Sequence, residues 1–126
     1  MKTHKIKVVH EIIVTQEDID DIMSSALEGG INYWCCKAEV VGEYLGTYAS
    51  EQIARGGTLL LHDSEGDDVY ELTLEMLLDG IGQAYEENYF SEYEWCDGQT
   101  VDTCQVDAEV ADVIVQLALF NEIVFG

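Results

Sequence analysis

A chain of 126 residues is long enough for one domain with a real core. Its apolar fraction of 48% is too high for a disordered acidic tail, so a folded globule is expected. Its net charge of −21, from 5 basic and 26 acidic residues, argues against polyanionic partners, because nucleic acid and anionic membranes both need Lys and Arg to hold them.

In chain order, residues 5–14 (KIKVVHEIIV) are β-branched and predict a strand. Thr15 then opens a helix with a near capping box, TQED, in which Asp18 stands where Glu or Gln is usual. Ile19, Ile22, Met23, Ala26 and Leu27 form its apolar stripe, and Gly29 or Gly30 is expected to end it as a C′ glycine. Residues 31–41 (INYWCCKAEVV) favour a strand through their aromatic and β-branched content. Residues 43–55 carry helical spacing broken by Gly46.

Residues 56–73 are the clearest hairpin, two strands around SEGDD. Thr73 is the expected N-cap of a helix running to about Asn88, with Leu74, Leu77, Leu78, Ile81 and Tyr85 inward. Glu75, Asp79 and Glu86 fall on its outer face. Residues 89–106 are expected to be irregular. Asp107 caps a last helix over 108–120 that has little polar surface, and EIVF (122–125) predicts a short final strand. The fold class is α+β: one domain over 1–126, an antiparallel sheet with about three helices on one face.

The basic residues are Lys2, Lys5, Lys7, Lys37 and Arg55, and 17 acids follow from Asp63 onward with no further Lys or Arg. A compact chain of this size is about 36 Å across. B-DNA of that length carries roughly 21 phosphates, so the protein matches a duplex of its own width in net charge. A charge of about 2 to 8 is enough for solubility. The surplus therefore points to a basic protein surface, or to cations.

The four cysteines divide into an adjacent pair, Cys35 and Cys36, and a distant pair, Cys96 and Cys104. The C-x7-C spacing of the second pair is not that of a zinc ribbon or finger. In a strand, Cys35 and Cys36 would point to opposite faces. A zinc site of Cys35, Cys96, Cys104 and His62 is one reading; small buried hydrophobes are the other. DSEGDD (63–68) lacks the glycine position of a calcium-binding EF-hand loop and reads better as a hairpin turn. Catalysis has no support: the three histidines lack a nucleophile partner, and no glycine-rich phosphate loop occurs. Arg55 before Gly56-Gly57 could bind an anion, but an isolated Arg before two glycines reads better as a helix end, and a single such cation argues against anionic ligands.

The stretch YEENYFSEYEWCD (85–97) interleaves aromatic and acidic residues. Aromatic anchors in an acidic rim suit contact with a basic protein. The expected partner-binding residues are Glu75, Asp79, Glu86, Glu87, Tyr89, Glu92, Tyr93, Glu94 and Trp95.

At EGGINYWCCKAEVVGEYLGTYASEQIARGG (28–57) and DAEVADVIVQLALFNEIVFG (107–126), the chain resembles small proteins carried by phages and mobile elements of Gram-positive bacteria. In size and acidity it is similar to anti-CRISPR proteins, above all inhibitors of Cas9-type nucleases. That resemblance implies a non-enzymatic inhibitor in the bacterial cytoplasm that binds a Cas effector through an acidic surface imitating nucleic acid. It carries no site residue over. The expectation from another class is a small-ligand or metal-binding module, such as a sponge for a signalling nucleotide. A homodimer through helix 108–120 is a third.

Overall fold

The computed structural model of the protein describes residues 2–6, 11–87 and 106–126. Among these residues the chain forms a small α+β domain with three α-helices and a three-stranded antiparallel sheet.

Local capping chemistry sets the first helix, α1 (Gln16–Ser25). The Thr15 hydroxyl accepts from the Asp18 backbone N–H at 3.1 Å, and the Asp18 carboxylate accepts from the Thr15 N–H at 2.9 Å. This closes the predicted capping box with Asp in the third position. Ile19, Ile22, Met23 and Ala26 are buried as expected. The helix does not end on a left-handed glycine. It continues through a π-helical turn, Ala26–Gly30, and neither Gly29 nor Gly30 has a positive φ. Gly30 serves packing instead: a Cβ there would collide with the carbonyl oxygen of Ala108.

The sheet is β1 (Cys35–Val40), β2 (Leu59–Asp63) and β3 (Val69–Leu72), paired in that order. Ala38, Leu61 and Tyr70 stand in register, as do Val40, Leu59 and Leu72, and together they face the core. Strand alternation puts Glu39, Leu60 and Glu71 on the other face. The predicted hairpin is present, with its turn tightened by the Asp63 carboxylate accepting from the Glu65 N–H at 2.9 Å.

Helix α2 (Leu74–Glu86) starts at Thr73, whose hydroxyl accepts from the Met76 N–H. Its inner stripe is Leu77, Gly80, Ile81 and Ala84. Leu74 and Tyr85 pack at its edge, whereas Leu78, expected in the core, is 40% exposed. The inner face is narrower than predicted because α2 lies very close to α3 (Ala108–Phe120). A Cβ on Gly80 would stand 2.6 Å from the Ile114 carbonyl oxygen. At such a crossing the small residues sit at the seam and Leu78 is pushed to the flank.

Helix α3 has the predicted bounds, with Asp107 as its N-cap at 3.0 Å from the Val110 N–H, and it closes on Asn121 in the left-handed region (φ 60°). It is buried nearly all round: Val110, Ala111, Ile114, Val115 and Leu117 join Ile22, Leu59, Leu72 and Leu77 in one cluster. Most of its apolar surface is thus used within the chain, with Val113, Ala118, Leu119 and Phe120 only partly buried.

Three further expectations differ from the structure. Residues 11–14 form only an isolated bridge at Ile13, and 7–10 lie outside the described residues. Residues 122–125 form no strand; the Gln116 side chain rather than a neighbouring strand accepts from the N–H groups of Val124 and Phe125 (below). Residues 43–55 are not a helix but a loop ending in a short 3-10 turn, Ala49–Glu51. Gly42 takes a left-handed φ of 75°, and the Glu51 and Gln52 side chains capture backbone groups that a helix would have bonded within itself.

Candidate functional site

The exposed face of α2 carries the predicted acids that fall within the described residues. Glu75, Asp79, Glu86 and Glu87 are all exposed. At about 100° per residue, Glu75, Asp79 and Glu86 lie within about 40° of one another around the helix axis. Glu87 stands off that line and accepts from the Gln83 amide at 3.1 Å. Tyr89, Glu92, Tyr93, Glu94 and Trp95 lie outside the described residues.

Negative charge is not confined to α2. Glu17, Asp18, Asp20 and Asp21 occupy α1, Asp63, Glu65, Asp67 and Asp68 the β2–β3 hairpin, and Asp107 and Glu109 the start of α3. Among the described residues the basic side chains are Lys2, Lys5, Lys37 and Arg55. Arg55 is engaged internally: it pairs with Asp20 at 3.2 Å and Glu51 at 3.5 Å, and donates to the Glu51 carbonyl at 2.9 Å. The anion-binding role considered for it is therefore filled by two carboxylates of its own chain.

The cysteines on β1 behave as strand alternation requires. Cys35 is buried and Cys36 exposed. Burial pushes the Cys35 thiol above its usual range, which disfavours the thiolate that a metal needs. Its Sγ donates to the Lys37 carbonyl at 3.3 Å. His62 is bonded through Nε2 to Glu39 at 3.0 Å. Among the described residues no three His, Cys, Asp or Glu side chains are grouped to hold a metal ion. Cys96 and Cys104 lie outside them.

The most structured polar feature was not foreseen. Asp112, on the central helix, is only 8% exposed. Its Oδ1 accepts from the Trp34 indole N–H at 2.8 Å and from the Gln116 amide at 2.9 Å, and its Oδ2 from the Tyr33 hydroxyl at 2.6 Å. Gln116 is fully buried, and its Oε1 accepts from the N–H groups of both Val124 and Phe125 at 2.8 Å. The tail is thereby folded back, and the Phe125 ring stacks on Trp34 at 4.8 Å and 5°. Beside this network lies a cleft of about 430 Å³, lined by Gly30, Tyr33, Asp112, Gln116, Ile123 and Phe125 among others. One sequence signal could have found it: Asp112 and Gln116 are polar residues one turn apart in an otherwise apolar helix.

Two tyrosines acquire unusual acidity constants. Partial desolvation of the Tyr33 hydroxyl, followed by its hydrogen bond to Asp112 and the charge of that carboxylate, pushes its pKa up to about 12. Tyr70 is pushed up to about 12 by burial and then by its 2.9 Å bond to Asp63. An unfolded tyrosine ionises near 10, so the native state holds these protons more tightly. The resulting stability is complete below pH 10 and is lost as pH rises from about 10 through about 12. Denaturation midpoints followed against pH should fall across that window. Tyr33→Phe combined with Tyr70→Phe should flatten the fall; an unchanged profile contradicts the assignment.

Comparison with known proteins finds no family model, no curated protein and no solved structure that matches the chain. Among the described residues no helix is long and apolar enough to cross a membrane.

Proposed function

We propose that the protein is a non-enzymatic binding protein whose acidic surface occupies a basic, nucleic-acid-binding surface of a partner protein. A CRISPR–Cas effector is the partner that its resemblance to anti-CRISPR proteins implies. The supporting observation is the aligned, exposed carboxylates of α2 in a chain of net charge −21. Long-range attraction would speed capture, and salt would weaken it.

The test is binding to a Cas9-type nuclease by calorimetry at low and high salt, with the wild type and a Glu75→Lys, Asp79→Lys, Glu86→Lys, Glu87→Lys variant. All four positions are exposed, so the circular dichroism spectrum should be unchanged. Affinity should fall by roughly a hundredfold or more, on the order of 1 kcal/mol per reversed charge. Equal affinity of the two proteins would remove α2 as the contact face.

A second reading, a small-ligand module, draws on the cleft beside Asp112. Glu109 and Asp112 line it and, among the described residues, no Lys or Arg does, which favours a neutral or cationic ligand over a signalling nucleotide. Tight binding of a cyclic dinucleotide in equilibrium dialysis would contradict that preference.

A further inference from the structure

The loop over residues 41–48 (VGEYLGTY) displays its large side chains instead of hiding them. Val41 is 47% exposed, Tyr44 59%, Leu45 50% and Tyr48 68%. A single exposed apolar residue needs no explanation, but four within eight residues concentrate exposed apolar surface on one short loop.

The backbone beneath these side chains is fixed from below. Gln52 is almost fully buried, and its amide accepts from the Leu45 N–H at 2.9 Å and donates to the Glu43 carbonyl at 3.1 Å. The Glu51 carboxylate accepts from the N–H groups of Thr47 and Tyr48 at 2.8 and 3.0 Å. Those two bonds hold Glu51 below the usual carboxylate range. Gly46 has no side chain because Glu51 lies against it: a Cβ there would stand 2.8 Å from the Glu51 Cβ. Arg55 ties the same turn to Asp20 on α1. The loop is thus held in one shape while its rings point outward, which lowers the entropy lost when a partner docks.

We infer that the 41–48 loop is a preorganised docking knob for a positively charged protein surface, with Tyr44, Leu45 and Tyr48 as its anchors. This rests on the proposed binding function and gives it an apolar centre distinct from the α2 face. Charge selects the occupant. The loop itself carries the exposed Glu43, and α1, which packs against the Ala49–Glu51 turn, adds the exposed Glu17 and Asp21, while Asp20 and Glu51 are already paired with Arg55. A second copy of the chain also carries a net charge of −21 and would approach against that repulsion. Nucleic acid and anionic lipid are repelled in the same way. Basic residues on the partner would meet the acidic rim, and its apolar groups or Arg planes would cover the rings.

The experiment selects binders from a random peptide library on the immobilised protein, then measures the best synthetic peptides by fluorescence polarisation. Selected sequences should be rich in Arg and Lys. They should bind wild type roughly tenfold or more tighter than Tyr44→Ala, Leu45→Ala, Tyr48→Ala. A Tyr48→Ala single variant, altering the most exposed of the rings, should show a smaller loss with an unchanged thermal midpoint. Selected peptides without basic residues, no selected peptide, or equal affinity for the loop variants overturns the inference. The α2 reversal separates the two proposals. Binding lost in that variant but kept in the loop variants leaves the acidic-face function standing without the knob. Binding lost only in the loop variants places the contact on the knob and removes α2 from it.

Discussion

Replacing Trp34 with alanine should lower stability by about 4 kcal/mol, the upper range for removing a buried aromatic side chain. The indole is 3% exposed, stacks on Phe125, and meets the edges of Tyr70 at 6.2 Å and Phe120 at 6.4 Å. It therefore joins the sheet, the central helix and the tail in one contact group. Truncation leaves a cavity between elements that cannot collapse independently, because α3 is already closely packed against α2 at Gly80. For a domain of this size the thermal midpoint should drop by about 15 °C. Trp34→Phe keeps ring packing but loses the donor to Asp112, and should cost about 1–2 kcal/mol. Urea denaturation of the two variants checks both figures; a loss below about 1 kcal/mol for the alanine variant would contradict the packing described.

The second large effect is expected at Asp112. Alanine there leaves the buried indole N–H of Trp34 without an acceptor and removes one acceptor from Gln116, for a cost of about 2–3 kcal/mol. The Tyr33 hydroxyl, on a half-exposed residue, can turn to water, so its share is small. Asp112→Asn retains an oxygen for the two nitrogen donors and should cost less than alanine. The Trp34→Phe, Asp112→Ala double variant should lose less than the two singles combined, since each removes the same 2.8 Å bond. Strict additivity in denaturant melts would show that the bond contributes nothing.

What the amino-acid sequence makes legible here is local. Thr15 with Asp18, Thr73, and Asp107 each signal a helix start by chemistry within three residues, and each start lies where that chemistry puts it. The hairpin around SEGDD is similarly short-range. Errors arise where a distant partner decides. Gly30 looks like a helix stop but answers to Ala108, and Leu78 keeps the helical rhythm but loses its place to the Gly80–Ile114 approach. Residues 43–55 have helical spacing, yet Glu51 and Gln52 bond the backbone of the loop before them. Of the candidate sites, the exposure of Glu75, Asp79 and Glu86 was readable from helix periodicity, whereas Glu87 lies off that face. The Trp34–Asp112 pair spans 78 positions and could not be read from spacing.

The position of α3 has a consequence for synthesis. The helix that fills the middle of the core follows the other described elements in chain order, so Ile22, Leu59, Leu72 and Leu77 lack their packing against it until it emerges from the ribosome. A nascent chain with such sticky surface risks clumping with its neighbours. The carboxylates of the preceding segments would add like-charge repulsion between such unfinished chains, a consequence of the acidity that holds whatever the protein binds.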